Sequence, residues 1–139
     1  MSQNPWNPVS LATIVILLLS LACDRRAQQS VTTRPEVAQD QKALEQLREA
    51  GSDLAKTHSV HFYLYVPSQQ DANATATALQ RDNFNTVVKS GADGKRWLCL
   101  GQKSMIPTIE NLTEARQIFS TLATQYGGEY DGWKAEVQP

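Results

Sequence analysis

Few residues in this chain have the chemistry for catalysis or metal binding. The two histidines, His58 and His61, stand three apart in a segment that alternates like a strand. Odd spacing puts them on opposite faces, so they cannot chelate one metal ion together, and polar strand residues are the simpler reading. Cys99 sits between Leu98 and Leu100. A nucleophilic thiol needs a partner base, and none is evident in the pattern, which leaves a buried structural thiol. The carboxylates are scattered, with no pair placed for general acid and base work. Asn73-Ala-Thr and Asn111-Leu-Thr match the glycosylation pattern, but both fall in segments with helical periodicity. There is no phosphate-binding lysine loop and no dinucleotide glycine fingerprint. The two cysteines and two histidines, with the histidines on opposite strand faces, do not make a four-ligand zinc site. No catalytic residue, metal site or cofactor is therefore expected.

What remains is recognition chemistry. Tyr63, Tyr65 and Trp97 lie in alternating strand segments, and Tyr130, Asp131, Gly132 and Trp133 form an aromatic and acidic run near the end of the chain. Exposed aromatics on a sheet favour protein interfaces. They also stack RNA bases when basic residues surround them. Here 13 Lys and Arg balance 14 Asp and Glu, a net charge of −1. That is no electrostatic footprint for nucleic acid. Glycine inside a strand suggests a bulge, so Asp131-Gly132 is either a device holding the last strand or a recognition spot.

The elements that must position these residues follow from periodicity. The chain has 139 residues, room for one domain and a leader. An apolar run from Val9 to Ala22 is shorter than the about 20 residues a bilayer-crossing helix needs, and suits a signal-peptide core. It ends in Ser20-Leu21-Ala22-Cys23, which resembles the lipobox of bacterial lipoproteins. That resemblance implies lipid attachment at Cys23 and a domain facing the periplasm. Arg25 and Arg26 follow the run and nothing basic precedes it. The rival reading is thus an uncleaved anchor with the domain in the cytoplasm. Residues 24–39 are polar, non-periodic and broken by Pro35, the pattern of a flexible linker.

From residue 40 to 139 the pattern is that of an α+β domain. Residues 40–51 form a short amphipathic helix with Asp40 as its cap, too short to stand alone, so it docks somewhere, the aromatic sheet face included. Then come a strand at 58–66, a helix at 68–83, strands at 84–89 and 95–102 joined by a tight turn, a helix opening at Thr108, and a last strand at 129–137. Strand, helix, strand, strand, helix, strand gives a ferredoxin-like βαββαβ sandwich. Its four-stranded antiparallel sheet would carry two helices on one face, burying Val60, Phe62, Leu64 and Leu98. Tyr63, Tyr65, Trp97 and either Trp133 or Tyr130 would occupy the open face.

The stretches HFYLYVPS, KRWLCL, the MIPT helix start and GGEYDGW, in this order, resemble the regulator of ribonuclease E activity B family over roughly residues 40–137. The resemblance implies a ferredoxin-like fold, no catalysis, and binding to ribonuclease E that inhibits RNA processing. Tyr130, Asp131, Gly132 and Trp133 are its signature. The expected partner is a protein, ribonuclease E if the domain is cytoplasmic, with the membrane engaged through the N-terminal anchor and no direct nucleic acid. The alternative is a structural or assembly lipoprotein of the periplasmic face, with another partner and a dimerising sheet face.

Overall fold

The computed structural model describes residues 34–139. The leader, Cys23 and the linker as far as residue 33 lie outside the described residues. By compactness the chain divides into Met1–Ala38 and Gln39–Pro139, and the second unit carries the fold. Helix α1 spans Arg34–Glu49, followed by β1 (His58–Val66), α2 (Gln69–Arg81), β2 (Asn85–Ser90), β3 (Trp97–Met105), α3 (Ile109–Tyr126) and β4 (Glu129–Ala135). The strands form one sheet in the order β2-β3-β1-β4, every neighbouring pair antiparallel. This is the ferredoxin-like α+β arrangement, with a third helix added at the N-terminal side.

Local chemistry sets the element ends. Ser68 caps α2 and its side chain accepts from the Asp71 amide, while Thr108 caps α3 and accepts from the Asn111 amide. Gly127 closes α3 in the left-handed conformation. In the β2–β3 turn, Asp93 accepts from the amides of Lys95 and Arg96 at 2.9 and 3.0 Å and from Arg96 Nε at 2.9 Å. Those amide bonds, with the guanidinium beside them, hold the Asp93 carboxyl well below the usual carboxylate range.

Helix α1 corrects the sequence reading. It begins at Arg34, so residues 34–39, expected within the flexible linker, are helical. Proline is tolerated in a first turn, where its missing N–H has no partner to lose, and Pro35 stands there with Glu36 beside it. Asp40 is not the cap. It lies on the inward stripe with Leu44 and Leu47, and is buried.

The core lies between the sheet and helices α2 and α3. Val60, Phe62, Leu64 and Val66 of β1 point into it with no exposure, against Ala72, Ala76 and Leu79 of α2 and Leu112, Ala115 and Phe119 of α3. Phe62 and Phe119 stack at 5.1 Å, and Phe84 meets both edge-on at 5.8 and 5.3 Å. Burying each such side chain contributes about 1.5–3 kcal/mol. Gly101 of β3 lets Phe119 lie on the strand: a Cβ there would sit 2.6 Å from Phe119 Cζ. Because that ring is wedged between Phe62 and Phe84, it has little room to yield. Gly101→Ala is expected to cost about 1–3 kcal/mol, the range for overpacking a core, read as a lower denaturant midpoint at unchanged slope. An unchanged midpoint would show that Phe119 relaxes freely.

Candidate functional site

The register decides which aromatics are available. Leu64 pairs with Cys99, Phe62 with Gly101 and Val66 with Trp97. Trp97 and Cys99 therefore share the helix-facing side with Phe62 and Leu64. Leu98 pairs with Tyr65 and Leu100 with Tyr63, on the opposite side. Two expectations are corrected here. Leu98 is buried, but on the open face, not beneath the helices. Trp97 is half-buried against the core, not beside Tyr63 and Tyr65. Alternation assigns β3 two faces; only the pairing with β1 shows which is which.

The terminal run is also turned inward. Tyr130 pairs with Leu64 and Trp133 with Phe62, with the register shifting between them. Four residues of β4 thus span three of β1, a bulge at Asp131-Gly132, where Gly132 takes φ 96°. Without the extra residue, Tyr130 and Trp133 would point to opposite faces. With it, both face the helices. The Tyr130 ring lies 5.7 Å from Phe119. The Trp133 indole Nε1 donates to Asp40 Oδ1 at 3.0 Å, and Asp40 Oδ2 pairs with the Arg116 guanidinium of α3. Both of those charged side chains are only 8 % exposed. Helix α1 therefore docks on α3 and the helix-facing side of β4, leaving the aromatic sheet face uncovered by these contacts. Of the signature, Asp131 stays exposed.

The open face consists of three cross-strand rows and, beyond them, the pair Ser59 and Ser104. The first is Lys89, Leu98, Tyr65 and Glu129. The second is Val87, Leu100 and Tyr63, running up to the bulge; the third is Asn85, Gln102, His61 and Lys134. Val87 is 54 % exposed. Cations lie over both tyrosines: Arg96 is 4.7 Å from the Tyr65 ring centre and Lys134 is 5.7 Å from that of Tyr63. Arg96 also donates to Glu129 at 3.3 Å. At the far end Gln102 donates to Ser59 Oγ at 2.6 Å, and that hydroxyl lies 3.2 Å from His61 Nε2.

The remaining candidates are structural. His58 is fully buried on the helix-facing side. Its Nδ1 lies 2.8 Å from the Lys56 carbonyl, which can only accept. In the neutral ring Nε2 then accepts from Ser52 Oγ at 2.6 Å. Ser52 Oγ accepts in turn from the Gln138 amide at 2.9 Å, tying the turn after α1 to the segment after β4. Sequence reading missed this clasp, because its partners lie far apart in the chain. Burial pushes the Cys99 thiol up to about 11, so it stays protonated at neutral pH. Among the described residues, no group of three or more His, Cys, Asp or Glu is placed to hold a metal ion. Nor, among them, is any helix long and apolar enough to cross a membrane.

Fold and surface together define a small ferredoxin-like domain with one open, aromatic sheet face and one helix-covered face. The family model described as Regulator of ribonuclease activity B matches residues 37–135. The chain belongs to that family. Among curated proteins, a search finds no match.

The buried polar cluster has a testable energetic signature. Removing one partner of a buried ion pair strands the other charge, at about 3–5 kcal/mol. Arg116→Met is expected to lose that much in denaturant unfolding, while the double variant Asp40→Leu, Arg116→Met loses clearly less. A double-variant loss equal to the sum of the losses of Asp40→Leu and Arg116→Met measured singly would mean that the two charges are not coupled in the folded protein.

Proposed function

We propose that this chain is a non-enzymatic, membrane-tethered protein-binding module that regulates a ribonuclease, with the open sheet face as its contact surface. The observation that carries the reading is the family match over residues 37–135. Ribonuclease E is the partner if the domain lies on the cytoplasmic side. The face offers Tyr63 and Tyr65 flanked by Leu100 and exposed Val87, the aromatic and aliphatic make-up of an interface centre. Regulation would then be steric: a bound domain occupies part of the ribonuclease and performs no bond-making of its own. Trp133 and Tyr130 support the fold around that face, and Trp97 lies on the other side of the sheet.

The tether rests on the apolar run ending at Cys23. An uncleaved anchor with Arg25 and Arg26 behind it suits a cytoplasmic domain and the ribonuclease reading. A second reading is favoured by Ser20-Leu21-Ala22-Cys23 itself: a lipoprotein acylated at Cys23, its domain in the periplasm, binding a structural or assembly partner there.

Two measurements separate these readings. Fusing a reporter that is active only in the periplasm after Pro139 reads the side: activity supports the lipoprotein and inactivity the ribonuclease partner. Purified chain titrated into a ribonuclease E cleavage reaction reads the function. Inhibition is expected, weakened roughly ten- to thirtyfold by Tyr63→Ala with Tyr65→Ala, the scale of losing central interface residues. Equal inhibition by the variant would remove the open face from the mechanism.

A further inference from the structure

The sheet has two edges, and they differ. The β4 edge is interrupted by the bulge at Asp131-Gly132. The β2 edge, Asn85–Ser90, pairs with β3 without a break and holds no proline. Bulges and prolines are common devices that keep an exposed edge from pairing, and β2 has neither. Which of its backbone groups point outward follows from the turn. The Gly91 amide donates to the Arg96 carbonyl at 2.7 Å, and the β2–β3 register continued by one residue sets Gly91 opposite Arg96. Hydrogen-bonded pairs alternate along an antiparallel ladder. Asn85, Val87 and Lys89 therefore bond to β3, and the N–H and C=O groups of Thr86, Val88 and Ser90 point away from the sheet. Among the described residues no hydrogen bond reaches these outward groups. Gln80 meets Thr86 only at its hydroxyl, at 2.8 Å.

The geometry points to this edge as the seat of an extended segment of the ribonuclease partner, added to the sheet as a fifth strand beside β2. The inference rests on the ribonuclease reading and says how that contact is made. Donors and acceptors that recur at every second residue, about 7 Å apart, match an extended backbone. A helix cannot answer them, because its own N–H and C=O groups are bonded internally. Side chains of the added strand alternate as well, so every second one lies on the open face. One falls beside Val87, which is 54 % exposed, and prolongs the row Val87, Leu100, Tyr63. The next on that face, two residues away, falls beside exposed Lys89, which has no ion-pair partner among the described residues. The segment that fits therefore carries an apolar residue and, two positions along, an acidic one. A second copy of the chain does not meet this requirement. Its β2, NTVVKS, holds no carboxylate, so no register of β2 on β2 gives Lys89 a counter-charge.

The test is residue-resolved hydrogen exchange of the full chain in detergent, with ribonuclease E as the probe. In the free chain the amides of Thr86, Val88 and Ser90 should exchange fast and those of Val87 and Lys89 slowly. Saturating ribonuclease E should slow the first three at least roughly tenfold. A variant with Thr86→Pro and Ser90→Pro loses two outward N–H groups and no bond to β3. Its inhibition of ribonuclease E cleavage should weaken roughly tenfold, the scale of two lost hydrogen bonds, with thermal melts confirming that it folds. The exchange readout uses the unaltered chain and decides the matter even if that variant does not fold. Fast exchange of the three amides in the bound chain, or undiminished inhibition by the folded variant, would overturn the edge assignment and leave the ribonuclease reading standing. A parent chain that neither binds nor inhibits ribonuclease E removes both. Slowed exchange of these amides on raising the chain concentration alone would place a second copy on the edge and overturn the assignment as well.

Discussion

A single extra residue in the last strand organises this domain. Side chains on a strand alternate, so Tyr130 and Trp133, three apart, would point to opposite faces of a regular β4. The bulge at Asp131-Gly132 cancels that difference. Gly132 makes it possible, because φ 96° is a conformation that L side chains rarely adopt. Both rings then join the core side. Tyr130 meets Phe119, and Trp133 reaches Asp40 of the N-terminal helix. The one ring that a regular strand would have put on the open face is instead part of the core side, and the open face is left to Tyr63 and Tyr65.

From that inward turn the docking of α1 follows. A helix with Leu44 and Leu47 as its inward apolar residues has little apolar area to hold it. It is fixed instead by a buried carboxylate bonded on one oxygen to an indole and paired on the other with a guanidinium. Such a cluster adds little net stability over apolar residues of the same volume. It does penalise misplacement, because any other seat for α1 strands Asp40 or Arg116 in the interior. The Ser52–His58–Gln138 clasp acts at the far end of the same helix, securing the turn that follows it. Two polar clusters therefore set the position of α1 on the domain.

Much of this was legible in the sequence. The bounds of β1, the helix start at Thr108 and the strand glycine at 132 all rest on local rules, and so does the βαββαβ order. The errors share one cause. Trp97 and Leu98 fall on faces opposite to those expected, since alternation cannot say which side of β3 meets which side of β1. Asp40 reads as a cap until Arg116 and Trp133, distant in the chain, are brought against it. The early start of α1 was masked by Pro35, which breaks a helix interior but fits a first turn. Of the candidate contact residues, the structure brings Tyr63 and Tyr65 together on one open surface. It separates them from Trp97, Tyr130 and Trp133.

The division of labour between the two faces rests on the Trp133 indole being sealed against Asp40, and hydrogen exchange reads that directly. In a ¹⁵N-labelled sample, with the indole resonance assigned by its loss in Trp133→Phe, the Trp133 Nε1 proton should exchange only through opening of the domain. It should be as slow as the amides of β1. Exchange at the rate of a solvent-exposed indole, in a folded protein, would mean that the signature tryptophan faces water and that the open sheet face is not the surface this domain presents.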